Sequence, residues 1–482
     1  MTSRGSLTDT ISQLAKTFTG QLLQSVDPGY EEARRVHNGL IDKRPVLIAR
    51  CRGVADIVDA VRAARENDLE VAVRGGGHNV AGLSTIDDGL LIDLSPMTGI
   101  HVDPRERTAR AQGAVTWNLF NRETQLHGLA TTGGVISTTG IAGLTLGGGI
   151  GWLMGKHALA LDNLLSVELV LADGSTVTAN ADDNVDLFWA LRGGGGNFGV
   201  AASLEYRLHP LGPIVAGGLI LYPFSAAWDV LRFYRDVTAT LPDEFTVFAG
   251  LVCAPDRSGT KLAAILLCHC GQLQDGDRAV QRIKKFGAPV LDAVGAMPYC
   301  QVNAMLDAAA PRGGLNYWKS SFLSSLSDEA LRTMIDCFAG CPAPMGALFL
   351  EHFHGAVTRI GVTDTAFPHR AEGYNLLVIS EWMDPNENDI CITWARDTYS
   401  AVEPFIGSNR YVNYLTDDER GEEVVTAYGP NYRRLQQIKA KYDPENFFHM
   451  NHNIRPSPGI AGCGHAAAGR PRRASRKRRV NW

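Results

Sequence analysis

Three glycine clusters between residues 75 and 199 constrain this chain more than any other feature. They are Gly75-Gly76-Gly77 before His78 and Asn79, the run GLATTGGVISTTGIAGLTLGGGIG over 128–151, and GGGGNFGV over 193–200. Without a Cβ, backbone N–H groups can close on an anion. A β-α-β pattern leads into the first cluster. Arg44–Arg50 is apolar and β-branched, Val54, Ile57, Val58, Val61 and Ala64 repeat at helical spacing, and Leu69–Arg74 reads as a second, parallel strand. No helical pattern opens after Gly77, so this is not the Rossmann fingerprint, which needs a helix at its third glycine. A diphosphate held by a nest of amides is the expected guest. The second cluster reads as tight turns around a flat ligand. The third follows the helix-like DLFWALR and precedes the strand-like AASLEYRL. Together they imply a large phosphate-bearing cofactor.

The 482 residues, 45% hydrophobic and 20% charged, suit a folded chain of roughly two to four domains and exclude disorder as the main state. No apolar run reaches the roughly 18–20 residues of a membrane span. The first twenty residues lack a secretory core, so no membrane partner is expected and a cytoplasmic location is. Net charge is -5, yet RPRRASRKRRVNW at the end holds seven basic residues and no acid. The remaining body is acidic, which argues against nucleic acid as a partner; the tail reads as disordered and solvated. Nine cysteines are spaced irregularly. Neither Cys268-His269-Cys270 nor Cys337 with Cys341 has zinc-site spacing, so no metal is expected and a reducing setting fits.

From about 212 to 405, strand-like runs (GGLILYPF, KLAAILLCHC, ALFLEHFHG, NLLVISEWM) alternate with helical ones (AWDVLRFYRDVTATL, DGDRAVQRIKKF, DEALRTMIDCFAG). This predicts a sheet covered by helices on one face, its open face roofing the cofactor. The expected division is a leader over 1–25, a cofactor domain over 26–211, a substrate domain over 212–405, a segment returning to the first domain over 406–457, and a basic tail over 458–482.

The motifs VRGGGHN (73–79), GLTLGGGIGW (143–152), LFWALRGGGGNFGV (187–200), YVNY (411–414) and YDPENFFHMNHNI (442–454) occur in the order of a known family. With them the chain resembles the FAD-linked oxidases of the berberine bridge enzyme-like group, within the vanillyl-alcohol-oxidase-like, PCMH-type flavoproteins. The resemblance covers about 43–208 and 405–456. It implies an α+β fold with a PCMH-type FAD-binding domain of two α/β subdomains and a substrate domain of antiparallel sheet. It implies oxidation of an alcohol or amine carbon of a small organic or secondary-metabolite substrate, with hydride passing to FAD. Molecular oxygen is the expected acceptor, giving hydrogen peroxide; a dehydrogenase using another acceptor is the alternative. A flavin-free binding protein whose basic tail contacts nucleic acid is a remote one. An oligomer is compatible with all of these.

Position by position, the resemblance makes His78 the residue bonded to the 8α-methyl carbon of FAD, a role that needs a neutral imidazole. Ile136 stands where doubly attached relatives carry a cysteine, so a single link is expected. Ile150 stands where some relatives carry an active-site tyrosine, and Thr139 where a small or branched residue governs dioxygen access. The other expected cofactor contacts are Arg74, Gly75, Gly76, Gly77, Asn79, Gly140, Gly143, Leu144, Gly148, Gly151, Asn197, Gly199, Val200, Tyr411, Asn413, Asn451 and Asn453. Tyr414 matches a tyrosine used as base. As a free phenol of pKa about 10 it needs a cation nearby, for which Lys319 in NYWKSSF is the candidate. If 411–414 is a strand, Tyr411 and Tyr414 point to opposite faces. His352 and His354 share a strand face opposite Glu351 and Phe353. One member of the group carries glutamates at the histidine positions, so the change suggests a different and less cationic substrate.

Overall fold

The first sheet realises the β-α-β pattern with a strand inserted. In this computed structural model, which describes residues 7–458 apart from 255 and 257, strands Leu47–Arg50 and Val71–Arg74 both run parallel to Leu90–Asp93, which lies between them. Helix Val54–Glu66 buries Ile57, Ala60, Val61 and Ala64 against this sheet. The segment expected to be a leader is built in. Strand Gln21–Leu23 pairs antiparallel with Leu47–Arg50, and Leu14 of helix Leu7–Leu14 joins the same core. The apolar residues of that short stretch find a ready sheet edge. The basic tail lies outside the described residues.

A second sheet is antiparallel, ordered Ile100–Asp103, Thr108–Gln112, Val200–Arg207, Leu164–Val170, Thr176–Asn180. Trp117, Phe120 and Tyr206 meet edge-on beneath it. Helix Tyr432–Tyr442 returns to this core with Leu435 and Ile438. Its Lys439 is fully buried. The ammonium donates to the Asn197 carbonyl at 2.5 Å, to Asp443 Oδ2 at 2.6 Å and to the Phe448 carbonyl at 3.2 Å. Burial pulls its pKa down and Asp443 pulls it back. This ammonium ties 443–448 to the third glycine cluster.

The third sheet is antiparallel, its main strands ordered Ile214–Pro223, Lys261–His269, Phe245–Cys253, Ala347–Phe353, Gly373–Trp382, Leu315–Leu323. Helices Ala227–Thr238, Asp328–Ala339 and Asn388–Val402 cover one face. Helix Ala227–Thr238 puts Val230, Leu231, Tyr234 and Val237 under the sheet. Each such burial contributes about 1.5–3 kcal/mol, more than the intrinsic propensity of so short a helix. The opposite face, through Phe248 and Phe353, packs on Trp152, Phe367 and Tyr411. No helix among the described residues is long and apolar enough to cross a membrane.

Candidate functional site

The glycine clusters meet backbone to backbone. A Cβ on Gly76 would lie 2.4 Å from the Gly140 nitrogen, and one on Gly140 would lie 2.5 Å from the Gly76 nitrogen. Gly140 then opens helix Ile141–Gly147, where turns were expected. Glycine costs a helix about 1 kcal/mol per residue, which hides the pattern; burial of Ile141, Ala142, Thr145 and Leu146 overrides it. Gly143 faces open space, whereas a Cβ on Gly147 would strike Asn413 at 2.1 Å.

These loops form one side of a cavity of about 470 Å³, and the bare face of the third sheet forms the other. Of the expected cofactor contacts, Gly75, Gly76, Gly77, His78, Asn79, Thr139, Gly140, Gly143, Leu144, Asn197, Gly199, Tyr411, Asn413 and Asn451 line it, as does Ile136. Arg74, Gly148, Gly151, Val200 and Asn453 do not. Arg74 pairs with buried Asp93 at 2.7 Å, Gly148 sits under the Tyr411 ring, Gly151 presses on the Gly133 carbonyl, and Val200 belongs to the core of the first sheet. Arg74, Gly148 and Gly151 thus pack behind the lining residues rather than among them.

His78 presents its ring between two threonine hydroxyls, Thr138 Oγ1 at 3.0 Å from Nε2 and Thr139 Oγ1 at 3.4 Å from Nδ1. Desolvation first, then the neighbouring His37, bring its pKa down to about 3. The imidazole is therefore neutral at physiological pH, the state an attacking nitrogen needs. His37 was not expected here; its ring stacks on His78 with centroids 3.9 Å apart.

On the sheet side the wall is apolar, with Leu219, Leu221, Phe248, Leu266, Phe349 and Leu377. Among the described residues its carboxyl groups are Glu351 and Glu381, and no Lys or Arg lines it. Glu351, 3% exposed, accepts from Tyr414 Oη at 3.0 Å and from Asn375 Nδ2 at 2.7 Å. Burial raises its carboxyl to about 7, with the Asn375 and Tyr414 hydrogen bonds pulling the other way. Burial, then the Glu351 charge, push the Tyr414 phenol well above its usual value. Tyr414 is thus a neutral donor, and the group poised to hold a proton near neutrality is Glu351.

This arrangement revises three expectations. Lys319 does not flank Tyr414. Successive residues alternate along Leu315–Leu323, so Trp318 lines the cavity and sits edge-on to Tyr414, while Lys319 pairs with Asp418 at 2.9 Å and Glu419 at 3.5 Å. His352 and His354 do share a face, their rings 4.6 Å apart, but that face belongs to the helix side, where His352 meets Tyr374. The face toward the cavity carries Glu351, which removes the basis for a less cationic substrate. Finally, Val412–Tyr414 is a 3-10 turn, not a strand, so Tyr411 and Tyr414 come together with centroids 4.7 Å apart. Tyr411 Oη accepts from Gly149 N at 2.8 Å and Asn413 Nδ2 at 2.9 Å.

Ser84 and His452 also line the cavity, and their buried Oγ and Nε2 atoms meet no hydrogen-bond partner among the described residues. Glycine backbones bare of Cβ atoms, buried polar atoms awaiting a partner and a neutral histidine together fit a flavin nucleotide.

Comparison with known proteins agrees. Residues 45–180 match the family model for the FAD binding domain, and 410–455 match that described as berberine and berberine like. The chain is 30% identical over 461 residues to (R)-6-hydroxynicotine oxidase of Paenarthrobacter nicotinovorans, covering 91% of this chain and 97% of that one. It is 39% identical over 469 residues to FAD-linked oxidoreductase pgmH of Aspergillus terreus, covering 90% and 94%. The crystal structure of 6-hydroxy-D-nicotine oxidase from Arthrobacter nicotinovorans superposes with a TM-score of 0.83 at 29% identity, covering 91% and 98%. That of BBE-like #28 from Arabidopsis thaliana has the same fold, with a TM-score of 0.83 at 22% identity and coverage of 93% and 100%.

Proposed function

The chain belongs to the berberine-bridge-enzyme-like FAD-linked oxidoreductases, and from this we propose that it oxidises an alcohol or amine carbon of a lipophilic small molecule, with FAD attached through His78 alone and dioxygen as the final acceptor, giving hydrogen peroxide. The observation that carries this reading is the placement of the Glu351–Tyr414 pair and a neutral His78 on facing walls of one cavity. In this reading residues 26–211 and 406–457 hold FAD, and 212–405 bind substrate.

Bound FAD supplies the two-electron acceptor; the protein supplies binding, orientation and proton handling. Backbone amides of the glycine loops, with Ser84, Asn451 and His452, would hold the nucleotide. Ionised Glu351 takes the substrate O–H or N–H proton, directly or through the Tyr414 hydroxyl, which already donates to it. Apolar walls keep water from Glu351, and on this sheet side, away from the glycine-loop amides, the lack of a lining Lys or Arg among the described residues disfavours substrates bearing a carboxylate or phosphate. A lipophilic alcohol and a lipophilic amine both satisfy these constraints. The (R)-6-hydroxynicotine oxidase relative supports the amine.

Protein purified from a riboflavin-replete host and precipitated with acid should give a yellow pellet. A colourless pellet with free flavin in the supernatant would refute the covalent link. A panel of lipophilic alcohols and amines should bleach the flavin anaerobically, and peroxide should form under air. Bleaching without peroxide would replace dioxygen by another acceptor; bleaching by sugars or carboxylic acids alone would contradict the substrate reading.

A further inference from the structure

We propose that His37 is a positioning residue for flavin attachment, its ring face fixing the plane in which His78 presents its nitrogens. The proposal rests on the reading of His78 as the attachment site. The two rings lie 3.9 Å apart and 19° from parallel. His37 is itself held from both sides. Its backbone N–H donates to the Gly77 carbonyl at 3.0 Å, immediately before His78, and its carbonyl accepts from Gly313 N at 2.8 Å. Buried Asn38 extends the clamp. Its Nδ2 donates to the Val80 and Asn316 carbonyls, both at 2.9 Å, and its Oδ1 accepts from Asn316 N at 3.0 Å. The His37 backbone, from which the ring projects onto His78, is therefore anchored to the glycine loop on one side and to the entry of strand Leu315–Leu323 on the other.

That anchoring matters because an imidazole lone pair lies in the ring plane. Tilting the ring swings the lone pair off its target, and a misplacement of about 1 Å can slow a reaction about 10²-fold. Thr138 and Thr139 address the edges of His78, and His37 addresses its face. Desolvation, then the Arg312 charge, keep His37 neutral, with a pKa near 4, so no charge repels the stack at neutral pH. Attachment forms one N–C bond. It releases the ring N–H proton, one methyl proton and two electrons, which dioxygen takes up as hydrogen peroxide.

The test loads FAD onto apoprotein from a riboflavin-starved host. Samples are quenched in acid over time, and flavin fluorescence is read in the denatured band. His37→Phe keeps a flat face, His37→Leu fills the space without one, and His37→Ala does neither. Non-covalent FAD retained after desalting confirms that each variant is folded. We expect the Phe variant to attach flavin within about twofold of the wild-type rate, and the Leu and Ala variants at least about tenfold more slowly. A wild-type rate in His37→Leu, or a Phe variant as slow as Ala, would overturn the role. A wild-type protein that never attaches flavin would overturn the reading of His78 itself, before any variant is compared.

Discussion

Replacing Glu351 by Gln should change stability and catalysis in opposite directions. The carboxyl is raised from 4.5 to about 7, chiefly by burial. At about 1.4 kcal/mol per pH unit, the ionised group costs the folded state about 3 kcal/mol. Because the folded protein binds this proton more tightly than the unfolded chain, stability declines as pH rises from about 4.5 to 7 and levels off above. A neutral amide in its place would carry no such cost, but it keeps one acceptor oxygen for two donors, Tyr414 and Asn375. Losing one hydrogen bond costs about 1 kcal/mol. Glu351→Gln is therefore expected to be about 2 kcal/mol more stable than wild type at pH 8 and about 1 kcal/mol less stable below pH 4.5. Urea unfolding of both proteins across this range measures the swing. In anaerobic stopped flow, wild-type flavin reduction should rise about tenfold per pH unit below 7 and then flatten, while the variant should be about 10²–10⁴-fold slower at pH 8. A stability difference independent of pH, or reduction at the wild-type rate, would refute this account of Glu351.

Other substitutions probe the scaffold. Gly140→Ala drives a Cβ into the Gly76 backbone and should lose about 1–3 kcal/mol together with FAD loading, whereas Gly143→Ala, a helix position whose open space is the cavity itself, should gain about 0.5–1 kcal/mol in thermal unfolding of the flavin-free protein. Lys439→Met leaves the buried Asp443 carboxylate without its cation; a loss of about 3–5 kcal/mol in urea unfolding and a smaller share of chains carrying flavin, read as weaker fluorescence of the denatured band, are expected. Lys319→Met should leave the flavin reduction rate within about twofold of wild type, because its ion pairs face Asp418 and Glu419; a large fall would return Lys319 to the active site.

Much of the cofactor side was legible in the sequence, because glycine clusters and an adjacent histidine announce close backbone approach without help from packing. The substrate side was less so. In FLEHFHG both strand faces are buried, so alternation separates Glu351 from His352 and His354 without saying which set meets the cavity. The same ambiguity exchanged Lys319 for Trp318. Strand Phe245–Cys253 is buried along both faces, with Thr246 its one hydroxyl, and carries no alternating pattern to read. Tyr411 and Tyr414 were misplaced because the 3-10 turn at 412–414 is held by long-range contacts such as Tyr411 with Gly149. His37 had no local signal, since its meaning comes only from the ring it meets.

The buried Lys439 knot has a consequence for biosynthesis. It joins the Asn197 carbonyl to a stretch of chain made 242 residues later, the stretch that also brings Asn451 and His452 to the cavity. While a ribosome is still translating that region, the glycine loops have only part of their partner wall. Loading with the nucleotide is accordingly expected to follow synthesis of this stretch, so that cells short of riboflavin should accumulate finished but colourless polypeptide rather than stalled nascent chains.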